Sequence, residues 1–210
     1  HIYDTYCNLI MKEADNGMNQ VLVNRPVLEE YIRRQYPGFK LISSTTKRIT
    51  GLDGLLEELN KDYFLVVLDY DLNHNEEVLS AIGKQADKVE ILVNEICYPG
   101  CPKRSEHYRQ QSQMQLEYDI DAAFPCPNKT RERKFEECKE RPSFISREQI
   151  REYADRGFVN FKIVGRGMPM DFVKESYLYY LVKDDSRAFI RNKMESTLNQ
   201  FAQAMRKRKA

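Results

Sequence analysis

Short apolar runs alternate with amphipathic segments along the chain. Runs rich in Val, Ile and Leu predict strands, and apolar residues three or four positions apart predict helices. The six consecutive apolar residues from Tyr63 to Leu68 are typical of a strand buried on both faces. The predicted strands are Gln20–Asn24, Phe39–Thr46, Tyr63–Asn73, Lys88–Glu95 and Val159–Gly167. Strands that alternate with helices predict βα units and a parallel sheet.

The predicted helices lie between these strands and after the last of them. Ser146 and Gln149 have the spacing of a capping box, and Gly157 marks the end of the helix that it opens. The predicted helical segments are Pro26–Gly38, Gly51–Lys61, Asn75–Ala86, Ser146–Gly157, Phe172–Val182 and about Ser186–Arg206. We expect the last helix to pack against or cap the fold, without a chemical role.

The fold class that we expect is α/β, a TIM-type (β/α) barrel rather than a small doubly wound sheet. A closed barrel of this type needs eight strands, and five are visible. The chain does not begin with Met, and its first residues already have a helical pattern that Gly17 ends, so we expect N-terminal barrel elements to be missing. The expected division is a barrel portion at residues 1–183, with a Cys-rich insert at 96–142, and a C-terminal helix at 184–210.

Each of the first four predicted strands ends in polar residues. The carboxyl ends of parallel strands line the active face of barrels and of open sheets. A row of such residues therefore predicts a functional rim, although polar residues also simply open loops. These residues are Asn24, Ser43, Ser44, Asp69, Asp71, Asn94 and Glu95.

The composition is that of an ordinary globular protein. The 210 residues include 33 Lys and Arg against 32 Asp and Glu, a net charge of +1, which gives no reason to expect a strongly basic nucleic-acid surface. No apolar run approaches the roughly 20 residues that span a bilayer, and no signal peptide is visible. Five cysteines, an odd number, argue for a reducing compartment rather than a disulfide framework, and we expect a cytoplasmic protein without a membrane partner.

Four cysteines fall in the insert, which has little apolar periodicity. Cys97 and Cys101 flank a Tyr-Pro-Gly turn just after a strand, Cys126 lies between two prolines, and Cys138 follows. Three or four thiols in one irregular segment suggest a metal site. An iron–sulfur cluster suits widely spread single cysteines, zinc is the alternative, and unliganded thiols remain a third possibility. Cys7, inside the first helical pattern, is expected to be a core thiol.

Three further residues carry candidate chemistry. His107 follows Cys101 by six positions and could be a ligand, an acid–base group or a surface histidine. Lys162 lies in the last strand, where a charge needs a partner, and Arg166 at the end of that strand could bind a carboxylate or phosphate. The alternative is a structural ion pair.

The sequence "ILVNEICYPGCP", the later Cys126 and "FISREQIREYADRGFVNFKIVGR" together resemble the collagenase-like peptidase family U-thirty-two. The resemblance covers about residues 20–166. It implies a TIM-like barrel and a four-iron, four-sulfur cluster held by Cys97, Cys101, Cys126 and Cys138, with the family's Lys and Arg on Lys162 and Arg166. Members include oxygen-independent hydroxylation factors for RNA and ubiquinone precursors, and others carry a peptidase name. Val164 stands where the family usually has Glu.

Three functions follow as hypotheses. The first is a cluster-dependent oxidoreductase or hydroxylase, served by an electron-donor protein and acting on RNA or a small molecule. Its substrate-binding or catalytic residues would be Asp69, Asn94, Glu95, His107 and Arg166. The second is a hydrolase, as the peptidase name implies. The chain has no G-x-S-x-G and no H-E-x-x-H motif, which argues against the familiar hydrolase sites, so the nucleophile would be a cysteine paired with His107. The third is a non-catalytic, zinc-stabilised binding module.

Overall fold

The computed structural model describes residues 4–117, 124–126, 133–165 and 167–209. Strands and helices alternate, which confirms the predicted mixed α/β class. The strands are β1 (Gln20–Val23), β2 (Lys40–Ser43), β3 (Leu65–Val67), β4 (Val89–Leu92) and β5 (Asn160–Lys162). The helices are α1 (Thr5–Ala14), α2 (Pro26–Gln35), α3 (Leu52–Leu59), α4 (Glu76–Ile82), α5 (Arg104–Glu117), α6 (Phe135–Lys139), α7 (Arg147–Asp155), α8 (Met170–Leu181) and α9 (Arg187–Lys209).

The five strands form one parallel sheet in the order β1-β2-β3-β4-β5. The described sheet is open, because β1 and β5 each have a single neighbour, so the closure of a TIM-type barrel is not seen. A TIM-type barrel closes with eight strands, and the described residues form five. The order nevertheless follows the chain without reversal, whereas doubly wound sheets reverse it at a switch point.

Helices cover one face of this sheet and enclose the main core. Alternate strand residues, such as Leu41, Val66 and Ile91, point into this core because side chains of a strand face opposite sides in turn. Helices α2, α3, α4 and α7 supply its other wall, with Leu55 and Leu59 of α3 almost fully buried. A smaller apolar cluster lies on the opposite face and is formed by Ile42, Leu65, Val67, Leu92 and the partly buried Val164.

The polar strand ends share the face of this smaller cluster. Ser44, Asp69 and Asn94 each stand two positions beyond one of its members, and side chains two apart point the same way. Ser43 points to the helical face, where its hydroxyl donates to Glu58 Oε1 over 2.5 Å. The carboxyl edge therefore carries a set of polar residues on the face of the smaller cluster, where the predicted rim would lie.

Two sequence expectations need correction. The insert is not an irregular loop throughout, because α5 and α6 lie within it. Helix α5 has almost no apolar stripe, and this is why periodicity failed to find it. Cys7 is exposed rather than a core thiol, because α1 buries none of its residues.

Helix α9 is tied to α8 by charged side chains. Arg191 forms a two-bond contact with Glu175, and Lys174 bonds Glu195 over 2.9 Å. The predicted boundary at residues 183 and 184 falls between these helices and stays a prediction. Among the described helices, none combines the length and apolar character that crossing a bilayer requires.

Candidate metal centre

The Cys-rich loop begins where β4 reaches the carboxyl edge of the sheet. Glu95 follows the strand, and its Oε1 accepts a hydrogen bond from the backbone N–H of Cys97 over 3.0 Å. Burial raises the pKa of the Glu95 carboxyl, and bonds from the backbone of Cys97 and Ile96 only partly oppose this. The loop then turns at Gly100, which has a φ of +67° that favours glycine, and leads into α5.

Two of the other predicted ligands, Cys101 in this loop and Cys126 in a later segment, lie within electrostatic range of Cys97. Burial raises the pKa of the Cys97 thiol to about 12, with smaller contributions from the nearby Glu95, Cys126 and Cys101. Cys97, Cys101 and Cys126 are all free thiols and partly buried. Their proximity means that each thiolate would destabilise the next unless a positive centre lay among them.

Cys138 approaches the same loop from α6. Its Sγ donates a 3.8 Å hydrogen bond to the carbonyl oxygen of Glu95. Burial and Glu95 raise the pKa of the Cys138 thiol to about 12, and Arg141 opposes the shift. The side chain is fully buried between Phe135 and Phe172, and the groups that influence it do not include the other three thiols.

The four cysteines are the residue type that a metal–thiolate centre needs. Their side chains do not surround a single point in this structure. Within the described ranges, no group of three or more His, Cys, Asp or Glu side chains is arranged to hold a single ion. A cluster binds each thiolate to a different iron, so its ligands stand farther apart than those of one zinc ion. Cys101 and Cys126 lie within electrostatic range of Cys97, whereas Cys138 is linked to these thiols only through Glu95.

Asp69 and Asp71 are held by Arg48 at the end of β3. One amino group of Arg48 lies 2.6 Å from both oxygens of Asp69, and the other lies 2.5 Å from Asp71. Arg48 has a φ of +58°, a left-handed conformation that is uncommon for arginine and indicates that the contact is strongly favoured. Burial raises the pKa of Asp69 although Arg48 opposes it.

The side chain of Asn94 is hydrogen-bonded to neighbouring residues through both its nitrogen and its oxygen. Its amide donates to the carbonyl of Val164 over 3.0 Å and to Ser176 over 3.2 Å, and its oxygen accepts from the N–H of Val164. The side chain is fully buried. Asn94 therefore joins the ends of β4 and β5 beside the Cys-rich loop.

His107 lies on α5 with its ring stacked on Phe124, 4.5 Å between centroids and 10° from parallel. Phe124 is two residues before Cys126, so this stack connects the Cys126 segment to α5. Burial and the nearby Arg104 lower the pKa of His107. Lys162 bonds Glu90 over 2.7 Å, which is the structural ion pair, and Arg166 lies outside the described residues.

Four further residues lie at this edge that the sequence analysis did not identify. They are three arginines and one tyrosine: Arg48, Arg104, Arg141 and Tyr108. Arg104 and Arg141 are almost fully buried, and Arg48 and Tyr108 are partly so. The charges of Glu95 and Cys97 contribute to the raised pKa of Tyr108, whose main cause is burial. Tyr108 also lines a neighbouring cleft of about 650 Å³. No spacing marks the whole set, because Arg48 and Arg141 come from other segments than Arg104 and Tyr108 of α5.

The cleft lies between the ends of β1 and β2 and helix α5. Among the described residues its lining is mostly polar and contains no carboxylate: Asn24, Arg25, Pro26, Thr46, Lys47, Arg48, Ser105, Tyr108, Arg109, Gln111, Ser112 and Gln115. Tyr108 is its link to the thiols, so a molecule in the cleft would lie beside the Cys-rich loop.

Comparison with known proteins adds one relative at low identity. The chain is 27% identical over 184 residues to an uncharacterized protease of Methanocaldococcus jannaschii, a match that covers 84% of this chain. The same match covers 54% of the relative, so the chain spans about half of that protein's length. No protein-family model matches the chain, and no solved structure matches it.

Proposed function

We propose that this chain is part of a U-thirty-two peptidase-like protein that uses a thiolate-bound iron–sulfur cluster for oxidoreductase or hydroxylase chemistry. Cys97, Cys101, Cys126 and Cys138 would hold a four-iron, four-sulfur cluster, with zinc as the alternative metal. When bound, such a cluster supplies one-electron transfer. The proposal includes a TIM-type barrel, to which these five strands would contribute consecutive members.

The observation that supports this proposal is that Cys101 and Cys126 lie within electrostatic range of Cys97. Burial and anionic neighbours hold the pKa of Cys97 near 12, so without a metal the group stays a protonated thiol at neutral pH. A metal ion removes this penalty because it binds the thiolate directly. The sequential parallel order and the position of the loop at the carboxyl edge agree with an active face of a barrel.

The cleft supplies a place for the substrate, which we propose to be RNA or a small molecule. Hydrogen-bond donors line it, and Tyr108 brings it to the thiols. Asp69, held by Arg48, and the partly buried Glu95 lie at the same edge, where they would position the substrate or hold a proton. A separate electron-donor protein would restore the reduced state.

A peptidase is the second candidate, and the name of the archaeal relative favours it. It would need a reactive thiolate paired with a base. The thiol of Cys97 has the opposite character, because its pKa is raised rather than lowered. His107 faces Phe124 in its ring stack, and His107 is not among the groups that influence Cys97. The third candidate, a zinc-stabilised module, is decided by the same experiment.

Single Cys→Ser substitutions test the proposal. We expect Cys97→Ser, Cys101→Ser, Cys126→Ser and Cys138→Ser each to lose most of the iron and acid-labile sulfide of anaerobically purified protein, because each removes one ligand. The exposed Cys7→Ser is the matched control and should keep both. Iron, sulfide and zinc are measured per chain.

Other outcomes separate the alternatives. Stoichiometric zinc without sulfide in the parent protein would support the zinc module. Loss of peptide hydrolysis in one cysteine variant, with metal content unchanged in all, would support the peptidase. Either result contradicts the cluster proposal.

A further inference from the structure

Two buried arginines flank the Cys-rich loop. Arg104 is 2% exposed and Arg141 is 5% exposed. Both contact Tyr98, which lies between Cys97 and Cys101. Arg104 donates to the carbonyl of Tyr98 over 3.1 Å, and the guanidinium carbon of Arg141 lies 3.9 Å from the centre of its ring.

Neither arginine has an acidic partner in the described part of the chain. Arg104 stacks on Tyr70 at 4.4 Å and reaches the hydroxyl of Tyr108 at 3.5 Å. The guanidinium of Arg141 makes no hydrogen bond to a described residue, and its fully buried Nε has no partner there. Glu95, the nearby carboxylate, accepts from the backbone of Cys97 and forms no ion pair with either arginine.

In the described part of the chain, the other buried or partly buried cations are all paired. Arg48 binds two aspartates, Lys47 binds Glu58 over 2.7 Å, and Lys174 binds Asp171 and Glu195. Removing a charge from water costs several kcal/mol unless an opposite charge compensates it. A desolvated cation–π contact is worth about 2 kcal/mol or somewhat more, which is less than the cost of burying an uncompensated charge, so stacking alone leaves Arg104 and Arg141 short of compensation.

We propose that Arg104 and Arg141 carry the countercharge of an anionic metal–thiolate centre held by the cysteines of this loop. The inference rests on the proposed function and assigns the centre two positioning residues. Four thiolates outweigh the charge of a zinc ion, and they also give an iron–sulfur cluster a net negative charge. Guanidinium groups on both sides of Tyr98 would face this charge, and Arg141 already lies within electrostatic range of Cys138.

The countercharge has a measurable consequence for an iron–sulfur cluster. Reduction adds negative charge, so nearby cations stabilise the reduced form and raise the reduction potential. Arg104→Met and Arg141→Met should therefore each lower the midpoint potential. We expect roughly a tenfold change in the reduction equilibrium, about 59 mV for one electron. Arg104→Lys and Arg141→Lys keep the charge and should retain most of the original potential.

The control is Arg156→Met. Arg156 also lies over a tyrosine ring, that of Tyr153 at 5.8 Å, but it pairs with Glu76. It should leave the potential unchanged. If the protein binds zinc instead, the readout is affinity in competition with a chelator, and each neutral variant should bind about tenfold more weakly while Arg156→Met does not.

The results of the parent protein and of the variants answer different questions. A parent protein without metal or sulfide refutes the proposed function and the inference with it. A parent protein with a centre, beside folded Met variants of unchanged potential or affinity, refutes the inference alone. Arg→Gln variants repeat the test where Met does not fold. If no neutral variant folds while the Lys variants do, the charges are needed for folding itself, and the countercharge role is likewise refuted.

Discussion

Buried charges near the end of β2 form a fully connected network. Glu58 is 3% exposed and accepts hydrogen bonds from Lys47, Lys61 and Ser43. Tyr63 donates to Glu29 over 2.6 Å and receives a bond from Lys47. Because each polar group has a partner, this network stabilises the fold without leaving an exposed reactive group, in contrast to the two arginines of the Cys-rich loop.

Glu58 predicts a specific acid sensitivity. Burial alone would raise its pKa, but the bonds from Lys47, Lys61 and Ser43 prevail and lower it from 4.5 to about 2. Its stabilising contribution is complete above pH 4.5 and is lost as the pH falls towards 2, because the unfolded chain takes up the proton first. A shift of this size corresponds to about 3 kcal/mol at neutral pH.

We therefore expect Glu58→Gln to lower the free energy of unfolding at pH 7 and to flatten its decline between pH 4.5 and 2. Urea unfolding at a series of pH values measures both effects. Glu57→Gln is the matched control, since the neighbouring side chain is 75% exposed and only pairs with Lys61. Equal pH profiles for the two variants would show that the Glu58 network does not have this role.

Residue chemistry could be predicted only where the residue type itself is informative. The cysteines after β4 stand out because thiols in an irregular segment have few ordinary uses. Cys101 and Cys126 lie within electrostatic range of Cys97, and the role of these thiols as metal ligands stays a prediction. Arg48, Arg104 and Arg141 look like surface arginines in the sequence, since burial depends on contacts between distant segments. The assignment of Cys7 to the core was wrong because helical spacing shows a face, not what covers it.

At the scale of elements, the strands were the most predictable part. All five predicted strands contain an observed one, shorter at its ends, because buried parallel strands require continuous runs of Val, Ile and Leu. The predicted starts and ends of helices also hold where caps specify them. Helix α5 was missed because its Gln, Arg and Glu favour a helix without giving it an apolar face.

The capping box of α7 gives a prediction for an element. The hydroxyl of Ser146 accepts from the N–H of Gln149 over 3.2 Å, and the side-chain oxygen of Gln149 accepts from the N–H of Ser146 over 2.8 Å. Ser146→Ala should lower the free energy of unfolding by about 1 kcal/mol because it leaves a helix N–H without a partner. Ser80→Ala, on the exposed face of α4, makes the same substitution without a cap and should be neutral in urea unfolding. Similar losses in both variants would argue against the cap.

At the scale of the whole molecule, the sheet has two different faces. Helices close one face over the main core, while the other carries a small apolar cluster and the polar strand ends. Sequence could predict the parallel sheet, while the active edge stays a prediction. It could not predict whether the sheet closes, because closure depends on the number of strands and their tilt rather than on any local pattern.

The position of the thiols follows from this arrangement. Strand β4 lies between β3 and β5, so the loop that leaves it meets Asp69 from one side and the end of β5 from the other. Helix α6 brings Cys138 to the carbonyl of Glu95 from a segment about 40 residues later. Elements far apart in sequence thus meet at one edge of the sheet.

Iron and acid-labile sulfide, measured per chain in anaerobically purified protein together with X-ray absorption at the iron edge, test the central claim most directly. The account predicts iron and sulfide in nearly equal amounts, with sulfur as the nearest neighbour of iron. It also predicts that Cys97, Cys101, Cys126 and Cys138 resist alkylation in the native protein while Cys7 reacts. A metal-free protein in which Cys97, Cys101 and Cys126 all alkylate as readily as Cys7 would contradict it.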